Sequence, residues 1–170
     1  FNGEIYNYLE LKIKLSAKGI NFNTDSDTEV LFKSLIHHGI NKTLKDIKGM
    51  FSFIFYDAKK NILEGARDHF GQKPFYYLLL KKKIYISSSI GSLKFFLKKP
   101  TLNKDSVKLY LSTNGFTFPT DTFFNKIKSL KAGHRFSVIN NKIHIKKYFF
   151  LEKLFSKKKI NYYNDNSYKN

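Results

Sequence analysis

Met50-Phe51-Ser52-Phe53-Ile54-Phe55-Tyr56-Asp57 is apolar on both of its alternating faces, the pattern of a central strand covered on both sides. The residues after it, Asp57-Ala58-Lys59-Lys60-Asn61, are turn formers, so 62–66 can return beside it as a hairpin partner. Two further extended segments, 75–80 and 83–88, flank a lysine-rich turn. Segments 133–139 and 142–147 form another hairpin around Asn140-Asn141, a pair that tolerates positive φ.

Helical patterns stand before and between these strands. Asn7 and Glu10 have the form of a capping pair, and Leu9, Leu11, Ile13 and Leu15 follow, predicting a helix over 8–18 that ends at Gly19. After a short extended stretch at 20–24, Ser26-Asp27-Thr28-Glu29 repeats the capping signature. Val30, Leu31, Leu35 and Ile36 then recur at helical spacing, predicting a helix over 27–38 that ends at Gly39. Segments 92–98 and 105–112 read as helices stopped by Pro100 and Gly115. Helix pairs followed by hairpins imply an α+β layered architecture. The expected organisation is one domain over 1–148, with 149–170 a linker or the truncated start of another domain.

At 170 residues and 42% hydrophobic, the chain can bury the core of one domain, and a 17% aromatic content argues against disorder. Its 31 basic and 13 acidic residues give a formal charge of +18, which raises a nucleic-acid-binding module as a rival reading. The excess is nearly all lysine, in short runs, with only Arg67 and Arg135 able to offer a bidentate fork. The aromatics cluster with aliphatics in strands instead of alternating with basic residues, so a solvated surface is the reading and no nucleic acid is expected. The absence of cysteine excludes disulfides, thiolate metal sites and a cysteine nucleophile within these residues. No apolar run approaches the roughly 20 residues of a membrane span, and a cytoplasmic protein is expected. His37, His38, His69, His134 and His144 make no metal-ligand pattern and read as surface or capping residues.

Asn2-Gly3 is by itself a turn signal, but an Asn amide beside an unobstructed Gly N–H is also a pair of donors for a developing oxyanion. It belongs to an ordered series: Phe-Asn-Gly-Glu-Ile-Tyr-Asn-Tyr-x-Glu-Leu, Thr-Asp-Ser-Asp-Thr-Glu-Val-Leu, Gly-Met-Phe-Ser-Phe, and Ala-Arg-Asp-x-Phe-Gly-x-Lys-Pro-Phe-Tyr-Tyr. From Phe1 to about Tyr148 this series resembles the glutaminase domain of glutamine-hydrolysing asparagine synthetases, a class II amidotransferase. The resemblance implies an N-terminal nucleophile hydrolase fold, an α/β/β/α sandwich of two antiparallel sheets with its amino-terminal part missing here. It implies that Asn2 and Gly3 form the oxyanion hole, that Glu4 lies in the same glutamine-binding strip, and that Asp27 holds the α-ammonium of glutamine. The local pattern alone favours helix capping by Ser26 or Asp27, a preference that the resemblance reverses, and Asp25 reads as a turn residue.

Arg67 to Pro74 has the composition of a sharp turn tied by an Arg67–Asp68 ion pair, a structural element that the resemblance places toward a synthetase domain. The series also departs from the family. Ser87-Ser88-Ser89-Ile90-Gly91-Ser92 occupies the place where Ser-Glu-Ile-Lys is usual, so an acid and a base are both gone, and Ala132 stands where Pro precedes Gly-His. The implied activity is release of ammonia from L-glutamine for ATP-dependent amidation of L-aspartate by a synthetase domain of the same chain. ATP and Mg belong to that domain, and neither cofactor nor metal to this one. No Ser-Gly-Gly-x-Asp-Ser loop occurs, and the chain opens on Phe1 directly into the motif. A fragment is therefore expected, inactive alone because the family's cysteine nucleophile and substrate-carboxylate arginine lie upstream. A relative serving sugar or cell-surface biosynthesis shares this domain and stays open as an alternative, as does a homodimer.

Overall fold

The structure, a computed structural model, describes residues 1–81, 83–115, 118–139 and 142–152. In chain order its elements are β1 (Asn2–Ile5), α1 (Tyr8–Ser16), α2 (Asp27–Asp46), β2 (Gly49–Asp57), β3 (Ile62–Arg67), β4 (Tyr76–Leu80), β5 (Lys83–Ser87), α3 (Ile90–Lys94), α4 (Lys104–Ser112), β6 (Ile127–Ser129), β7 (His134–Ile139) and β8 (Lys142–Lys147). They form a five-stranded sheet in the order β1-β2-β3-β7-β8 and a three-stranded sheet in the order β5-β4-β6. Every pairing is antiparallel.

Three apolar clusters fix the layer order. One joins Leu11, Leu15, Leu31 and Leu35 of the helices to Phe51, Phe53 and Ala66 of the larger sheet. A second lies between the sheets, where Leu63, Phe136 and Val138 meet Phe75, Ile84 and Ile86. In the third, Leu78 and Ile127 of the smaller sheet pack under Leu93 of α3. Alternation along each strand sends successive side chains to different clusters, and the result is the expected α/β/β/α sandwich. Among the described residues no helix is long and apolar enough to cross a membrane.

The strand that suggested this architecture is covered less evenly than its composition predicts. On the helical side Phe51 and Phe53 are buried at 0% and 3% exposure, but on the other face Ile54 and Tyr56 remain 44% and 57% exposed. Three strands cannot cover five, and the smaller sheet packs its cluster under β3, β7 and β8 instead.

Other expectations need correction. Asn7 makes no side-chain cap on α1. Its amide instead donates to the Asp46 carbonyl at 2.9 Å and accepts from the Lys48 N–H at 2.8 Å, stapling the chain after β1 to the end of α2. Gly39, at φ 70°, does interrupt α2, but the chain resumes helix to Asp46, and Ile40 and Leu44 of this second arm enter the core. The stretch 20–24 is not a strand, the third helix ends at Lys94, and the three-residue β6 is an addition. Asn140 and Asn141 lie outside the described residues, although β7 and β8 pair in the register Ile139↔Lys142. Of the segment 149–170, residues beyond 152 also lie outside them.

Candidate active site

β1 is an edge strand whose backbone donors alternate in direction. The Tyr6 N–H turns inward to the Lys48 carbonyl at 2.8 Å, while the Ile5 N–H turns outward to Asp27 Oδ2 at 3.0 Å. With a period of two, the Gly3 N–H points to the same outer edge as that of Ile5. Phe51, the partner of Gly3, is engaged on its other side: its carbonyl accepts from Asp68 N–H at 2.8 Å, and its N–H approaches Asp68 Oδ2 at 3.4 Å. Gly3↔Phe51 and Ile5↔Gly49 are therefore the close, non-hydrogen-bonded pairs of the ladder, and each contains a glycine. A Cβ on Gly3 would meet the Met50 carbonyl oxygen at 2.1 Å, and one on Gly49 the Glu4 carbonyl oxygen at 2.0 Å.

Asp27 is held at the same edge. Ser26 takes the cap of α2, accepting from the Thr28 N–H at 3.1 Å, and the Glu29 carboxylate accepts the N–H groups of Asn23 and Thr24. Capping is satisfied without Asp27, which leaves its carboxylate for the Ile5 N–H and, at 3.3 Å, the Thr28 hydroxyl. Asp25, as expected of a turn residue, is exposed and pairs with Lys12 at 2.6 Å.

Asn2 and Glu4 project from the face opposite Ile5, toward the second sheet. Asn2 borders a cleft of about 230 Å³ at the mouth of the inter-sheet space, together with Phe1, Ser52, Ile54, Ser87 and Ser88. Glu4 and Asp27 lie outside its lining. The structure thus gathers the four residues singled out in the sequence onto one strand edge and the helix start beside it, but only Asn2 enters the cleft. Ser52, Ser87 and Ser88 were not among those candidates. The two serines of β5 and its end sit where the sequence departs from the family, which is the signal that marks them.

A family model for the glutamine amidotransferase domain matches residues 1–149. The chain belongs to the glutamine amidotransferase family. Asparagine synthetase [glutamine-hydrolyzing] 1 of Bacillus subtilis is 38% identical over 138 residues, which cover 81% of this chain and 22% of that protein. A putative asparagine synthetase [glutamine-hydrolyzing] 2 of Methanocaldococcus jannaschii is 34% identical over 168 residues, covering 94% and 32%. The chain therefore spans between about a fifth and a third of the length of these relatives. Among solved structures, the glutamine phosphoribosylpyrophosphate amidotransferase of B. subtilis shares the fold, with a TM-score of 0.58 at 17% identity over 88% of this chain and 28% of that one.

In this amidotransferase domain the Arg67–Asp68 ion pair does not form; Asp68 serves the backbone, and Arg67 serves the backbone and the Ser129 hydroxyl, to which it donates at 3.0 Å. Asp68, 0% exposed, accepts the N–H groups of Phe70, Gln72 and Lys73 at 2.9–3.0 Å besides that of Phe51. The turn points its donors inward to Asp68 and its carbonyls outward. Arg67 collects those carbonyls, from Lys73 and Gly71 at 2.7 Å, and reaches Leu130 at 2.8 Å. The Gly133 N–H donates to the Asp68 carbonyl at 2.8 Å, which joins the Gly133-His134 segment to the same knot. His69 is half-buried instead of fully at the surface: its ring lies 4.3 Å from that of Phe149 at a 40° tilt, and burial holds its pKa below the ordinary histidine value. The Tyr148 hydroxyl donates to the Arg67 carbonyl at 2.8 Å, and burial raises its phenol pKa.

Proposed function

We propose that this domain is the glutaminase part of an asparagine synthetase, which releases ammonia from L-glutamine for ATP-dependent amidation of L-aspartate in the cytoplasm. The carrying observation is the β1 edge, where the Gly3 N–H points outward, the preceding Asn2 borders the cleft, and Asp27 is fastened to the Ile5 N–H two residues along. In this reading Asn2 and Gly3 donate to the oxyanion that develops when a thiolate attacks the glutamine amide, which costs little reorganisation because Gly3 is locked by its close pair with Phe51. Asp27 supplies the negative charge that receives the α-ammonium, and Glu4 borders the same strip. The identity to asparagine synthetases over most of the chain supports the acceptor.

The 170 residues contain no cysteine, so the thiolate has to come from outside them. We place it, the arginine for the substrate carboxylate, and the ATP- and Mg-binding synthetase domain in the part of the relatives that this chain does not match. The isolated chain is then expected to release no glutamate from glutamine beyond an Asn2→Ala control. In the protein that carries the remaining parts, Asn2→Ala is expected to lower glutamine-dependent asparagine formation by about 10²–10³. Ammonia-dependent formation should stay unchanged. Equal loss of both activities, or of neither, would remove Asn2 from the oxyanion hole.

A further inference from the structure

α1 and α2 enclose a second cleft, of about 320 Å³, a volume within the roughly 300–1,000 Å³ typical of small-molecule sites. None of Asn2, Gly3, Glu4 or Asp27 lines it. Its floor is mostly apolar, with Leu11, Leu15 and Ile47 buried beside Ser34 and Thr43. Its mouth carries Lys14, Lys18, His38 and Lys42, with Asp46 as the one lining acid. The break at Gly39 places His38 on one arm of α2 and Lys42, Thr43 and Asp46 on the other, and both arms face α1 across the opening.

The charges at this mouth do not balance. Lys14 is paired with Glu10 at 2.5 Å, and Lys42 with Asp46 at 3.1 Å. Among the described residues no carboxylate lies within ion-pair distance of Lys18, whose ammonium stands 3.3 Å from His38 Nε2. Two groups able to carry positive charge thus face each other over the floor of the cleft, and each disfavours charge on the other. Burial first, then Lys18, Lys42 and His37, lower the His38 pKa, with Asp46 opposing them. An anion between Lys18 and His38 would relieve that repulsion, and an apolar body attached to it would fill the floor.

We propose that this cleft binds a small amphipathic carboxylate, its head between Lys18 and His38 and its apolar body over Leu11, Leu15 and Ile47. Binding then draws one proton from solvent onto His38. The site is independent of the glutaminase reading, and the 170-residue chain is enough to test it.

Hexanoate and hexan-1-ol, two probes of matched length, are titrated into the chain while NMR follows the His38 imidazole and the Leu11 and Leu15 methyl groups. Hexanoate should give a saturable response and raise the His38 pKa. Hexan-1-ol should bind at least about tenfold more weakly, the difference a partly desolvated charge contact of about 1.4 kcal/mol makes. Lys18→Met, at an exposed position, should weaken hexanoate by a similar factor, and Lys108→Met on α4 should not. The proposal is overturned if hexanoate does not saturate, if the alcohol binds as well, or if Lys18→Met leaves affinity and the His38 titration unchanged.

Discussion

Gly3 and Gly39 both have positive φ, but their surroundings differ. A Cβ on Gly3 would lie 2.1 Å from the Met50 oxygen and 2.7 Å from Phe51 Cα, whereas one on Gly39 would meet nothing within 4 Å. Gly3→Ala is therefore expected to cost about 3 kcal/mol through clash plus strain, and Gly39→Ala about 1 kcal/mol through strain alone. Urea denaturation of both variants measures the difference, and equal losses would show that β1 yields without resistance. Asp68 offers a second case. Asp68→Asn turns an amide donor toward N–H groups that need an acceptor, and a loss of about 3 kcal/mol is expected. A loss below about 1 kcal/mol would mean those N–H groups find other acceptors. The Arg67-Asp68 motif was visible in the sequence, but its partners were not, because adjacent opposite charges suggest each other while the real acceptors and donors belong to the turn's backbone. Asn7 was misread for a related reason: its partners lie 39 and 41 residues away, beyond any local pattern. The Asn2-Gly3 strip stands out in the sequence only through the motif series it opens, since alone it reads as a turn; the outward bond from Ile5 to Asp27 shows which edge it faces.

Elements were legible where their apolar period was long and uninterrupted. β2, β3 and the β7–β8 pair fall close to their predicted spans, since alternation and turn residues coincide there. The second arm of α2 was missed because Gly39 is a sound stop signal, and only the burial of Ile40 and Leu44 against the sheet restarts the helix. β6 was missed because three residues carry no period and its strand character comes from pairing Ile127 with Leu78. The packing of the chain after β8 against the 67–73 turn was equally hidden, and it makes this corner sensitive to pH. Burial lowers the His69 pKa in the folded state, so the unfolded chain binds a proton more readily between the folded value and about 6.5. The neutral ring's contribution is full above the unfolded pKa and is lost as pH falls toward the folded one. His69→Phe keeps the ring contact with Phe149 and removes the proton site, so Tm should fall less than in the parent chain on acidification from pH 7.5 to 5, against a residual dependence from His38, which shifts in the same direction. Parallel Tm profiles for the two proteins would show that His69 takes no part in acid destabilisation.

At the scale of the molecule, composition and pattern reach only as far as an α+β layered domain; the four-layer order came from the motif series, and the three apolar clusters account for it physically. The exposed outer half of β2 was not foreseeable, because it depends on how three strands sit over five. The charge is a molecular property too, and it has a consequence for stability. Thirty-one basic residues face thirteen acidic ones. The ion pairs among the described residues are mostly at the surface, such as Lys14–Glu10 and Lys60–Asp57, where solvent screens them and little stability is gained. The better shielded Arg135–Glu64 pair, at 3.3 Å, gains less than its burial suggests, since burial also raises the Glu64 pKa while Arg135 lowers it. Among the described residues, lysines without an ion pair outnumber these contacts, and their mutual repulsion extends over a Debye length of about 30 Å at 10 mM salt but only about 8 Å at 150 mM. Self-repulsion of this size destabilises the compact state more than the expanded one. Raising sodium chloride from 10 to 150 mM at pH 7 should therefore raise Tm by a few degrees, about 3 °C for a stabilisation near 1 kcal/mol, as followed by circular dichroism. A fall in Tm over the same range would show that the ion pairs, and not the unpaired lysines, govern the surface electrostatics.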